Sequence, residues 1–241
     1  MGEKHKKIIL TVLMVILAFA FAIAIRYSFI YMGESTDYDV KGIDVSLYQG
    51  EIDWSGLHSE GLDFAFIKAT EGADYVDRNF EGYWKAANLT PMRISAYHFL
   101  SYDSSGHDQA QNYISTVKRT WGMLPPCIDV EFYGSYEYDH PSKDKMHEIL
   151  DEMLTELEDH YGMQPIIYTN KYIYSKYISG HYDDYRIWIS DFDVSDNLPD
   201  GRDWTFCQYT FDGYSDSIAG GEKKVDLDVF NGSKWDLRLL K

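Results

Sequence analysis

The clearest chemistry in the sequence lies in the run Cys127-Ile128-Asp129-Val130-Glu131. Side chains alternate faces along a strand, so Asp129 and Glu131 share one face, about 6.6 Å apart along the chain. Ile128 and Val130 then point the other way, against a packed layer. Two carboxyls this close in an apolar setting cannot both ionise freely, so one keeps its proton to higher pH and can act as an acid. The competing reading is an exposed edge strand with polar alternation, which Pro125 and Pro126 just upstream keep open. Asp44 lies in Gly-Ile-Asp-Val-Ser, Asp226 opens the alternation Asp-Leu-Asp with Asp228, and Asp191 ends Arg-Ile-Trp-Ile-Ser-Asp. Singly, each reads as a turn or cap former. Gathered in one cleft with Tyr97, His98, Tyr168, Trp188 and Tyr209, they supply what glycoside hydrolysis requires. That is a proton donor, a carboxylate to steady an oxocarbenium-like transition state, and flat rings against sugar faces.

Such a cleft needs a scaffold that brings strand ends together. Eight segments read as strands: 41–46, 64–70, 94–100, 126–131, 165–170, 186–191, 204–210 and 225–230. Each is short, rich in β-branched or aromatic residues, and bounded by turn formers. Helical patterns fall between the early ones, at 54–58, 78–89, 107–120, 142–161 and 171–178. Ser142 is a candidate N-cap, and Ile149, Met153, Leu154 and Leu157 line one face of the longest helix. After the sixth strand no apolar helical period appears, and 192–203 and 211–224 read as loops. The pattern predicts an α/β fold, an irregular TIM-like barrel of five β/α units followed by three strands. A doubly wound sheet is the alternative, but it ordinarily keeps its helices to the end. Residues 41–241 read as one domain. Barrel chemistry gathers at the C-terminal strand ends, where these acids stand.

The first residues are a separate physical object. Residues 8–25 form an 18-residue apolar run whose only polar member is Thr11. As a helix this spans about 27 Å, close to one hydrocarbon thickness. Lys4, Lys6 and Lys7 precede it and Arg26 follows, which keeps the N-terminus cytoplasmic and exports the rest. The expected organisation is a cytoplasmic stretch 1–7, a single-pass transmembrane signal anchor 8–26, a tether 27–40 and an extracytoplasmic domain. The small-x-small triplets Ala18-Phe19-Ala20 and Ala22-Ile23-Ala24 support the alternative of a cleaved signal peptide and secretion. The length of the run favours the anchor.

The whole chain of 241 residues has 22 Lys and Arg against 39 Asp and Glu, a net charge of −17; beyond residue 32 it is 18 against 38. This argues against a nucleic-acid binder, which requires a basic surface to neutralise phosphates. The 21 tyrosines and 6 tryptophans point to a surface that stacks on something flat.

Eight segments, in order, resemble glycoside hydrolase family 25, the Chalaropsis-type lysozymes or N-acetylmuramidases. They are KGIDVSLYQGEIDW, FAFIKATEG, ISAYHF, PPCIDVE, PIIYTN, IWIS, FCQYT and VDLDVFNG, and they span residues 41–233. The resemblance implies cleavage of the β-1,4 bond between N-acetylmuramic acid and N-acetylglucosamine in peptidoglycan. It implies Glu131 as general acid and Asp129 as the residue that orients the substrate's 2-acetamido group, whose carbonyl oxygen can serve as nucleophile. Asp44 and Asp226 match the other two acids of the family's cleft. Lys68, Tyr97, His98, Tyr168, Trp188, Asp191 and Gln208 are the candidate saccharide contacts. The sixth strand departs from the family in reading IWISDF, which leaves the role of Asp191 open. The expected partners are peptidoglycan glycan strands and, through the N-terminal helix, a membrane; a monomer is the default expectation. A chitinase-like hydrolase and a non-catalytic wall-binding module are the alternatives, and retention of all four acids argues against the second.

Other signals read as structural. The spacing Asp191-x-Asp193-x-Ser195-x-Asn197 resembles a calcium loop but lacks its glycine and closing glutamate, so it reads as a turn. Eight histidines without HExxH spacing predict no metal, and no cofactor is expected. Cys127 and Cys207 lie in non-adjacent strands and predict two buried thiols. The absence of a GxSxG elbow and of a phosphate-binding glycine loop removes esterase and nucleotide chemistry.

Overall fold

The computed structural model describes residues 14–18, 38–194, 197–221 and 224–241. Residues 1–36 and 37–241 form two compact units. In the first, residues 14–18 are helical. Among the described residues no helix is long and apolar enough to cross a membrane. The rest of the expected anchor 8–26, the stretch 1–7 and most of the tether lie outside the described residues.

The second unit opens with β1 (Lys41–Val45), β2 (Gly50–Ile52), α1 (Trp54–Ser59), β3 (Leu62–Glu71), β4 (Tyr75–Val76), α2 (Phe80–Ala87), β5 (Arg93–Phe99) and α3 (Gly106–Thr116). It continues with β6 (Cys127–Asp129), α4 (Lys143–Tyr161), β7 (Ile166–Asn170), α5 (Lys171–Ile173, running into a π-helical turn Tyr174–Ile178) and β8 (Arg186–Ser190). Then come β9 (Phe206–Tyr214), β10 (Ile218–Gly220), β11 (Lys224–Phe230) and α6 (Lys234–Leu239). The strands β1, β3, β5, β6, β7, β8, β9 and β11 close into a ring, because β1 pairs with both β3 and β11. All neighbours from β1 round to β9 are parallel, and β11 runs antiparallel to β9 and β1. Five β/α units precede three strands, as the element pattern predicts, and ring closure rules out the doubly wound alternative.

Alternation sorts each strand into two cores. Facing inward, Phe64, Phe66, Trp188, Phe206 and Phe230 fill the barrel with Val40 and Leu237. The Phe66 and Trp188 rings stack at 4.1 Å between centroids. Gly42 makes this plug possible, since a Cβ there would meet the Phe64 ring at 2.3 Å. Facing outward, Ile43, Ile67, Ile128, Ile167 and Ile189 pack beneath the helices. Ser142 caps α4 by accepting from Lys145 N, and Gly162, at φ 62°, ends it in the left-handed conformation that glycine adopts without strain.

Three expectations change. The helices do not stop after the sixth strand: Ser233 and Asp236 form a capping box that starts α6. The guanidinium of Arg93 donates to the carbonyls of Leu237, Arg238 and Leu240, and Leu237 plugs the N-terminal end of the barrel. The segment 211–224 is not all loop; β9 extends to Tyr214, and β10 pairs with β2. Residues 38–40, expected in the tether, pack on the domain: the Tyr38 ring lies tilted 5.2 Å from that of Trp204, and Val40 is buried in the barrel. The tyrosine surplus also has a second explanation. Among the described residues nine tyrosines are buried, and Tyr102, Tyr113, Tyr161 and Tyr177 each donate to a backbone carbonyl, tying helices and loops to the barrel.

Candidate active site

The inward-facing series on each strand continues past the aromatic plug, and there it turns polar. Asp44 lies two residues beyond Gly42, Lys68 two beyond Phe66, Asp129 two beyond Cys127, and Gln208 two beyond Phe206. On β11 the direction reverses, so the strand enters from the mouth: Asp226 comes first, Asp228 lies deeper, and Phe230 reaches the plug. Asp44 and Asp226 are direct partners across the β1–β11 pair. Glu131 stands just beyond β6, where Val130 still donates to Tyr168 O at 2.9 Å and prolongs the pairing. Five carboxyls thus converge at one end of the barrel.

Gln208 organises the centre. Its Nε2 donates to Asp44 Oδ2 at 2.9 Å, while its Oε1 accepts from Tyr168 Oη at 2.9 Å and Ser190 Oγ at 3.1 Å. Trp188 Nε1 donates to Asp228 Oδ1 at 2.7 Å from the floor. Asp228 Oδ2 and Asp129 Oδ1 are buried and accept no hydrogen bond in the structure. Lys68 is the cation that bears on the Asp129 and Glu131 carboxyls. It pairs with Glu71 at 2.7 Å and lies 4.9 Å from the centre of the Phe99 ring. Two cavities lie at this end, with Tyr48 lining both. One of about 400 Å³ is lined by Asp44, Tyr97, Phe211 and Asp226, and one of about 640 Å³ by Lys68, Phe99, Asp103 and Tyr133.

Burial sets the electrostatics. It pushes Asp44 well above the usual carboxylate range, and the Asp226 and Asp228 charges push it further. Burial does the same to Asp129, with the Glu131 charge adding and Lys68 opposing. Glu131 is raised by burial and then by Asp226, with Lys68 and a Tyr168 hydrogen bond holding it down. Asp228 is raised by burial and by Asp226, whereas the hydrogen bond from Trp188 favours its charged form.

Several expected site residues do not join this cluster. His98 follows the inward-facing Tyr97 and therefore faces out; its ring bridges Thr70 Oγ1 at 2.7 Å and Gln109 Oε1 at 3.0 Å. Burial pushes its pKa down to about 4, so the imidazole is neutral near pH 7. Asp191 follows the inward-facing Ser190, and Lys171 pairs with it at 2.5 Å. Trp188 is the floor of the cleft rather than a wall, being 2% exposed. Tyr209 follows the inward-facing Gln208. Cys127 and Cys207 are both buried free thiols. Asp228 is the member that a sequence reading passes over, although its alternation with Asp226 carries the signal. Among the described residues no group of His, Cys, Asp and Glu is arranged to hold a metal ion.

Asp228→Asn tests the crowding of the buried acids. A carboxyl whose folded pKa lies above its unfolded value near 3.9 stabilises fully below that value and loses the contribution as pH rises through the folded one. Asparagine keeps an acceptor for Trp188 and removes one charge from the cluster. The variant is expected to melt higher than the parent at pH 8, by about 2–4 °C per kcal/mol recovered, with the gap closing toward pH 4. A variant that melts lower at every pH overturns the destabilising effect of the crowded charge.

Comparison with known proteins agrees with this geometry. The sequence model of glycosyl hydrolases family 25 matches residues 43–218. The solved structure of a family 25 glycosyl hydrolase from Bacillus anthracis superposes with a TM-score of 0.81 at 42% identity, covering 86% of this chain and 96% of that one. A bacterial lysozyme from Streptomyces coelicolor gives a TM-score of 0.76 at 31% identity, covering 85% and 98%. Lysozyme M1 of Streptomyces globisporus is 30% identical over 213 residues, 84% of this chain and 71% of the relative. The match over most of the barrel, together with an acid cluster at its mouth, places the chain in glycosyl hydrolase family 25.

Proposed function

We propose that the enzyme is a peptidoglycan hydrolase of the muramidase type, cleaving the β-1,4 bond between N-acetylmuramic acid and N-acetylglucosamine. The observation that carries the reading is Asp129 Oδ1, buried without a partner beside the more accessible Glu131. A buried carboxylate oxygen with nothing to accept is costly, and an amide N–H is a fitting donor for it. A saccharide whose 2-acetamido N–H bonds to Asp129 favours the anionic form of that residue. The proton of the crowded pair then rests on Glu131, next to the glycosidic oxygen.

Glu131 donates this proton to the leaving oxygen as the C1–O bond breaks. The acetamido carbonyl oxygen forms a bond to C1, giving an oxazolinium ion whose N–H faces Asp129. Glu131, now a carboxylate, takes a proton from water, which opens the ring at C1 and retains the anomeric configuration. Asp44 and Asp226 bear on the charge balance of the cleft, and Tyr97, Tyr48 and Phe211 offer faces for sugar rings. All five carboxyls come from one chain, so a monomer suffices. The apolar run 8–25 supports an uncleaved anchor that holds this domain on the outer side of the cytoplasmic membrane.

The deciding experiment digests purified peptidoglycan and identifies the new reducing ends by mass. Muramic-acid ends are expected. Glucosamine ends refute the bond assignment, and an absence of cleavage refutes the hydrolase reading.

A further inference from the structure

A wide cavity lies at the end of the barrel opposite the carboxylates. It measures about 1160 Å³ and is lined by Arg93, Arg119, Trp121, Lys234, Arg238 and Lys241, among others. Arg93 and Lys234 are engaged within the fold, the first with the carbonyls around α6 and the second with Asp63 at 2.7 Å. Lys118, Arg119, Arg238 and Lys241 are exposed. Segments 118–121 and 234–241 together carry five Lys and Arg against one acid, Asp236, which is used in capping α6. Further acids stand at this end, Glu158 and Asp159 on the last turn of α4. Even so, a basic cluster is conspicuous in a chain that beyond residue 32 has 18 basic and 38 acidic side chains.

Large apolar side chains stand among these cations. Trp121 is 100% exposed, and Trp235 and Leu239, four residues apart on one face of α6, are 63% and 57% exposed. Exposed tryptophan and leucine beside lysine and arginine is the composition of a surface that lies in a lipid headgroup layer. Peptidoglycan binding explains neither the cations nor their distance from the cleft.

The course of the chain selects the same end. β1 starts at this face, with Val40 buried among the plug residues and Leu237. Residues 26–37 separate it from the apolar run, and twelve extended residues reach at most about 40 Å. The face that receives the tether is therefore the one that an anchored chain can bring to the bilayer. We propose that this face, centred on Trp121, Trp235, Arg119 and Arg238, docks on an anionic phospholipid surface and aims the carboxylate mouth away from it. The inference rests on the anchor proposed above. Electrostatics supplies the attraction, and the two indoles enter the interface.

The full chain, reconstituted in vesicles, tests this through its own fluorescence. All six tryptophans lie in the barrel domain, and Trp54, Trp84, Trp188 and Trp204 are buried. Vesicles contain phosphatidylcholine with brominated acyl chains, with or without phosphatidylglycerol. The chain is expected to sediment with both. Quenching is expected only with phosphatidylglycerol, confined to the two exposed tryptophans, and lost in a Trp121→Phe/Trp235→Phe variant. Charge reversal by Arg119→Glu/Arg238→Glu should also abolish it, as should salt near 1 M, where screening extends over about 3 Å. Cleavage of soluble glycan fragments should be unchanged, because these residues stand at the other end of the barrel. Sedimentation without quenching, or equal quenching on both vesicles, overturns the docking and leaves the anchor standing. Failure to sediment overturns both.

Discussion

Replacing Glu131 with glutamine leaves the barrel folded and lowers turnover on peptidoglycan by about 10²–10⁴-fold, the range that a positioned general acid contributes. Glutamine has nearly the same shape, so the walls of the cleft have no reason to move. It holds no proton acidic enough to give to a leaving alkoxide. The substitution also removes one of several crowded carboxyls, so the melting temperature at neutral pH should hold or rise. Burial and the Asp226 charge raise the parent residue's pKa, which keeps the donor protonated to higher pH. The parent's rate therefore falls as pH climbs through that raised value, and the variant's residual rate should lack this limb. Turbidity loss measured across pH, with thermal melting alongside, checks both statements. A variant within tenfold of the parent would remove Glu131 from its role.

Asp129→Asn is expected to cost about 10²–10³-fold, mostly in kcat, which is the typical loss when one preorganised charge is removed from a developing ion. The amide still fits, but its charge no longer faces the oxazolinium N–H. A purely structural role for Asp129 would give a similar loss, so the test pairs the variant with an altered substrate. Peptidoglycan de-N-acetylated on muramic acid lacks the group that Asp129 holds. The parent should be slow on it, and the variant no slower, because the second change removes an interaction already lost. If the two losses multiply instead, the acetamido contact is refuted.

Much of this arrangement is legible in the sequence because a barrel strand is a simple device. Alternation in Cys-Ile-Asp-Val-Glu gives the face of Asp129 and Glu131, and the ordered strand–helix pattern gives the end of the barrel where they gather. The same rule, applied strictly, corrects the errors. Tyr97 and His98 are neighbours and cannot both face the cleft; nor can Ser190 and Asp191. Asp226 and Asp228 can share a face, and they do. What alternation does not carry is direction. Whether β11 runs with or against its neighbours decides which of its acids is at the mouth and which is deep, and that depends on a loop of turn formers with no period of its own. The helix α6 was hidden for a different reason: at six residues it is shorter than two turns, and Ser233 with Asp236 is its only local mark.

The pairing of Asp44 with Asp226 joins the first strand of the domain to the last, 182 positions downstream. Contacts so distant in sequence form late, after the intervening units have condensed. An incomplete chain has no assembled acid cluster, whatever helices and hairpins it has already formed. The seam thus acts as a completion check: the hydrolase acquires its acid cluster only once the whole domain has closed.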